Sequence, residues 1–223
     1  MKTTLFIKAL FKMLAGFAML AALLFVPAGT WQFYQAWIML GVLFVPMAIM
    51  GVVMLVKNPE LLSKRLNAKE KEQEQKWVVA LSGILFVANF VVAGLNFRYG
   101  WCVLPWWVVG AASVVFLFAY ALYAEVLREN AYLSRTIEVQ ENQQVISTGL
   151  YGIVRHPMYG ATVLLFLAMP LVLASPWSFL IMLLYIPIIH IRIKNEEKVL
   201  TEGLKGYKEY KQKVKYKVIP CVW

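Results

Sequence analysis

The sequence predicts an all-α polytopic membrane protein of about six transmembrane helices, including a C-terminal helical hairpin, with both termini in the cytoplasm. Two observations carry this. Apolar residues make up 61% of the 223, mean hydropathy is +0.66, and several apolar runs approach the twenty residues that cross roughly 30 Å of hydrocarbon. Charge is also asymmetric. Against 22 Lys and Arg stand 12 acidic residues, all of them glutamate, and the bases gather between alternate apolar runs and at the C-terminus. A net charge of +10 distributed in this way sets topology first, and nucleic acid is not an expected partner.

Residues 4–26 and 31–56 are apolar and joined by the turn Pro27-Ala28-Gly29-Thr30, too short for anything but a hairpin connection. The first run is long, holds Lys8 and Lys12 and leads straight into further membrane segments, so a retained helix is expected and not a cleaved leader. Residues 57–76 carry six basic and four acidic side chains and read as a solvated cytoplasmic loop, partly helical at the membrane surface. Residues 77–96 and 102–126 form the next pair, with Trp101, Trp106 and Trp107 as an interfacial anchor. These four spans make a first unit, residues 1–126.

The second unit, residues 127–223, opens with a polar stretch and continues as two apolar runs, 158–173 and 177–193, interrupted by Ala174-Ser175-Pro176. Pro176 suits the first turn of the returning helix. Lys2, Lys8 and Lys12, the bases of the 57–76 loop, Arg128, Arg135 and Arg155, and nine bases from Arg192 onward all fall on one side, whereas the opposite connections hold only Arg98. The positive-inside rule then places both termini and both long loops in the cytoplasm, which needs an even number of spans.

Several chemistries are excluded. Without aspartate there is no Ser/His/Asp set, and no Walker loop or dinucleotide fingerprint occurs. Cys102 and Cys221 lie far apart and outside any Cys-x-x-Cys pattern, so neither a disulfide framework nor a zinc site is suggested. A two-histidine metal site would require His156 and His190 to meet, and no metal is expected.

The polar groups concentrate instead around "GLYGIVRHPMYG", residues 149–160, and "HIRIKNEEKVL", residues 190–200. A hairpin returns its own ends to one another, so Arg155, His156 and Tyr159 should lie near Arg192, Glu196 and Glu197. Pro157 biases His156 towards extended backbone and itself fits a first helical turn, which sets Arg155 and His156 at a helix N-terminus suited to an anion. Gly149 and Gly152 permit tight turns, and Tyr151 and Tyr159 offer faces to a cation. Each feature also has an ordinary explanation: a snorkelling Arg155, belt tyrosines, or an i,i+4 ion pair between Arg192 and Glu196.

The run "ENQQVISTGLYGIVRHPMYG", the apolar hairpin, "RIKNEEKVL" and "GYKEYKQKV" occur in that order. Together, over residues 125–217, they resemble the isoprenylcysteine carboxyl methyltransferase family and, more distantly, the phospholipid N-methyltransferases. The resemblance implies a membrane-embedded pocket for S-adenosylmethionine that opens sideways to lipid. It implies that Gly149, Tyr151, Arg155, His156, Pro157, Tyr159 and Glu197 help hold the cofactor and that Gln144 and Val145 supply backbone contacts. Arg192 and Glu196 would face the acceptor. Leu150 stands where family members commonly have proline. Helix phase leaves open which of Glu196 and Glu197 grips the cofactor, since they point about 100° apart.

The expected activity is therefore carboxyl O-methylation of a lipophilic substrate entering from the bilayer, with anionic lipid as a partner of the basic tail. N-methylation of an amino-phospholipid is the nearest alternative. An NADPH-dependent membrane reductase and a non-catalytic membrane scaffold are the others.

Overall fold

The computed structural model describes residues 2–66, 73–130, 132–133 and 139–223. The middle of the 57–76 loop and Arg135 lie outside the described residues. Helix accounts for 78% of the structure, and no strand occurs among the described residues.

The first part of the chain forms α1 (Lys2–Ala28), α2 (Tyr34–Lys57), α3 (Pro59–Leu66), α4 (Gln73–Tyr99) and α5 (Trp106–Glu129). Between helices immersed in lipid, burial from water is no longer the driving force, so close packing has to hold the bundle. Gly94 shows how close α1 and α4 come: a Cβ there would stand 2.7 Å from the Leu24 carbonyl oxygen and 2.9 Å from Pro27 Cβ. Around this contact Leu24, Phe33, Met39, Phe90, Phe116 and Leu173 form the main core, which joins the N-terminal helices to the C-terminal hairpin. The outward faces keep large apolar side chains, Phe11, Ile49, Ile84 and Val114 among them, exposed as a lipid-facing surface should be.

The loop after α2 is partly helical, as expected. The Asn58 side chain accepts a hydrogen bond from the Leu61 N–H at 3.1 Å and so starts α3. Lys12 donates to the Leu66 carbonyl at its end, at 2.6 Å, and Arg65 stands over the Tyr123 ring of α5.

The chain continues with α6 (Pro157–Val172), α7 (Pro176–Leu183), α8 (Tyr185–Gly203) and α9 (Tyr207–Lys213). Pro176 opens the returning run, with Ser175 as its N-cap. That run is not one regular helix, as the 177–193 reading would have it. It breaks at Leu184 and resumes to residue 203, because Pro187 has no N–H to offer the Leu183 carbonyl and its ring crowds that group. The longer α8 carries Arg192, Glu196 and Glu197 beyond the apolar part of the hairpin.

Five helical stretches of the described residues are long and apolar enough to cross a membrane, with α7 and α8 together as the fifth; α6, at 16 residues, is a shorter apolar helix. The chain is a multi-pass integral membrane protein.

Candidate functional site

The start of α6 meets the C-terminal strap, residues 214–217. The Arg155 backbone N–H donates to the Tyr216 carbonyl at 2.9 Å and the His156 N–H to that of Lys217 at 2.8 Å. The Arg155 Nη1 donates to the carbonyls of Val214 and Lys215 at 2.7 and 2.9 Å. One arginine thereby gathers the strap against the helix start. The backbone donors that the sequence offered to an anion at residues 155 and 156 are committed to the strap.

Beneath them lies Glu197. Its Oε1 accepts from Arg155 Nε at 2.7 Å and stands 3.3 Å from His156 Nε2, while its Oε2 is 3.6 Å from Lys211 Nζ and 4.0 Å from Lys217 Nζ. Arg155, His156 and Glu197 are each less than a tenth exposed, a depth at which charge persists only when paired and hydrogen-bonded.

A second cluster runs across the first turn of α6 to α8. Tyr159 donates its hydroxyl to Glu196, and Arg192 Nε donates to the same hydroxyl at 3.0 Å. The two residues expected to share a helix face are thus bridged by a tyrosine from the neighbouring helix.

A 3₁₀ turn, Gly149–Gly152, completes the surround. The Glu129 carboxylate at the end of α5 accepts from the Leu150 N–H at 3.0 Å. Tyr151 accepts through its hydroxyl from Asn130 Nδ2 at 3.0 Å, and its carbonyl accepts from the Tyr210 hydroxyl at 2.7 Å. Burial pushes the phenols of Tyr151, Tyr207 and Tyr210 up, so all three remain protonated and able to donate at neutral pH.

Gly149 is required here twice over: its φ is +50°, and a Cβ would fall 1.4 Å from Glu129 Oε1. Gly149→Ala must therefore expel the Glu129 carboxylate and strain the turn. It should lower stability by roughly 1–3 kcal/mol, read by thermal unfolding in detergent. Adding Glu129→Ala should recover part of the loss by removing the clash.

These elements surround a cleft that is partly open to solvent. Gln144, Val145, Tyr151, Arg155, His156, Tyr159, Arg192 and Glu196 all line it. Gly149, Pro157 and Glu197 do not. Gly149 forms the turn that presents Tyr151, Pro157 is the first residue of α6, and Glu197 backs Arg155 and His156 from below. Sequence reasoning missed Tyr207 and Tyr210, which line the cleft from α9 and are buried at 4% and 6% exposure. Their three-residue spacing in "GYKEYKQKV" puts both on one helical face amid lysines, a signal that was available. His190 stacks on Trp223 with ring centroids 5.6 Å apart, and among the described residues no group of three or more His, Cys, Asp and Glu stands together.

A bundle of membrane-length helices with a charged and aromatic cleft at one end defines an integral membrane protein. Residues 106–206 match the model of the phospholipid methyltransferase family, from the first residue of α5 to the residue before α9. The match agrees with the resemblance read from the sequence, since that family is the one of isoprenylcysteine carboxyl methyltransferase-like proteins. The match supports a membrane methyltransferase, and methyltransferases of this family in general use S-adenosylmethionine. No curated protein matches it. The family match leaves the reductase and scaffold readings without support.

Proposed function

We propose that the cleft holds S-adenosylmethionine and that the protein methylates a carboxylate on a lipophilic, isoprenylcysteine-like substrate that enters from the bilayer on the cytoplasmic side. The observation that carries this reading is the joint presence of Arg192, Glu196 and a set of buried tyrosines around one cleft, on residues that the family match largely covers. The residues fit the ligand. Glu196 complements the amino group, tyrosine faces complement a sulfonium, and Gln144 and Val145 bring polar and apolar contact. Arg155, His156 and Glu197 hold the walls in place.

When bound, S-adenosylmethionine supplies an electrophilic methyl group on a sulfonium. A carboxylate acceptor is already ionised, so no side chain has to remove a proton. Arg192 would orient the carboxylate, and a dry site favours a reaction in which opposite charges cancel. Around the cleft, the exposed Lys208, Lys213 and Lys215 would rest on anionic lipid, at about 1 kcal/mol per base.

The second reading, N-methylation of an amino-phospholipid, is favoured by Glu196, whose carboxylate suits an ammonium. It must also accommodate Arg192 in the same wall, an unfavourable neighbour for a cationic acceptor. Labelled S-adenosylmethionine offered with a farnesylcysteine analogue and with phosphatidylethanolamine in mixed micelles separates the two. A base-labile methyl ester on the first supports carboxyl methylation, and a base-stable label on the second supports the alternative. Label on neither, from protein that binds the cofactor, would reject both acceptors.

A further inference from the structure

Tyr207 is 4% exposed, lines the cleft, and its hydroxyl meets no hydrogen-bond partner among the described residues. Its neighbour on the same helical face behaves differently: the Tyr210 hydroxyl donates to the Tyr151 carbonyl at 2.7 Å. A buried phenol that loses water without gaining a partner is costly, and the large majority of buried polar atoms are satisfied. Leucine or phenylalanine would fill the apolar part of this position without that penalty. The ring packs with Leu204, Val214 and Val145, whereas the hydroxyl lies within the electrostatic reach of Glu197, Glu196 and Arg155. Tyr207 therefore stands where the apolar wall of the cleft gives way to its charged end.

We infer that Tyr207 is a positioning residue whose hydroxyl hydrogen-bonds the amino-acid end of the bound cofactor, fixing that end against the charged side of the cleft. The inference rests on the cofactor reading above. The charged groups of the cofactor are its α-amino and α-carboxyl groups, and a phenol can accept from the first or donate to the second. The adenosine portion is uncharged and fits the wall formed by Leu133, Val145, Ile146 and Leu204.

The test compares the parent protein, Tyr207→Phe and Tyr210→Phe in detergent, by calorimetric titration with S-adenosylhomocysteine and with 5′-methylthioadenosine, which lacks the amino-acid end. A hydrogen bond to a charged ligand group predicts that Tyr207→Phe weakens S-adenosylhomocysteine binding by roughly 10-fold or more and leaves 5′-methylthioadenosine binding within about twofold of the parent. Its melting temperature should match the parent's, because no bond among the described residues is lost. Tyr210→Phe should instead lower the melting temperature, since its bond is structural. Equal weakening of both ligands would place the hydroxyl at the adenosine and overturn the inference. Unchanged binding of both would show that the hydroxyl meets no ligand, and would overturn it while leaving the cofactor reading intact. A folded parent protein that binds neither ligand would overturn the cofactor reading and the inference with it.

Discussion

Arg155→Ala should lower the unfolding free energy by roughly 3–5 kcal/mol, the usual consequence of removing one partner of a buried ion pair. The reason lies in what remains. Glu197, 7% exposed, would keep its contacts to His156 and the more distant lysines but lose the 2.7 Å bond to Arg155, and the carbonyls of Val214 and Lys215 would lose their side-chain donor. The strap, left with its backbone bonds from residues 155 and 156, should then loosen against α6, and ligand binding should weaken with it. Arg155→Lys keeps the charge but cannot bond a carboxylate and two carbonyls in the same fixed geometry, so its effect should be intermediate. Arg155→Met combined with Glu197→Gln, which removes both charges, should be more stable than Arg155→Ala alone. Reversible unfolding in mixed micelles measures all three, and a loss below about 1 kcal/mol for Arg155→Ala would show that the strap is held by other means.

Arg192→Ala should reduce turnover of a carboxylate acceptor by about 10²-fold, the loss expected when a reacting group is no longer held in line. Methylation of an amine should change far less, because a guanidinium does not complement the amino group that takes the methyl. The Tyr159 bridge permits a control. Tyr159→Phe leaves the Arg192 charge in place but removes the hydroxyl to which Arg192 and Glu196 are both bonded. If Arg192 acts through charge at the acceptor, Tyr159→Phe should reduce turnover much less than Arg192→Ala. Equal losses would mean that position, set by the tyrosine, is what matters. Methyl transfer at saturating cofactor reads both variants.

The fold was legible because membrane crossing is written in local composition. The apolar runs, Pro176 and Pro157 are each interpretable within a few residues, and the helices follow them closely. Pro187 was equally visible, yet its effect depends on a carbonyl four residues earlier in a helix whose phase had first to be known. The candidate cleft was partly legible for a different reason: a hairpin brings its ends together whatever its details, so Tyr159, Arg192 and Glu196 could be placed as neighbours. Glu197 could not be separated from Glu196, and the two occupy different settings, one beneath the cleft wall and one in it. Contacts from Arg155 to residues 214–217 and from Tyr210 to Tyr151 span about sixty positions, and nothing in local periodicity encodes them.

The brevity of α6 sets how far down the chemistry sits. Sixteen residues at 1.5 Å each reach about 24 Å, some 6 Å less than a typical hydrocarbon layer. If its far end lies level with the neighbouring helices, the end bearing Arg155 and His156 is sunk beneath the waterline. An acceptor with a long hydrocarbon tail could then present its head to the cleft while the tail stays in oil. Withdrawing ten methylenes into water would cost about 8 kcal/mol, an expense that a site raised to the membrane surface would impose on every turnover and a sunken one does not.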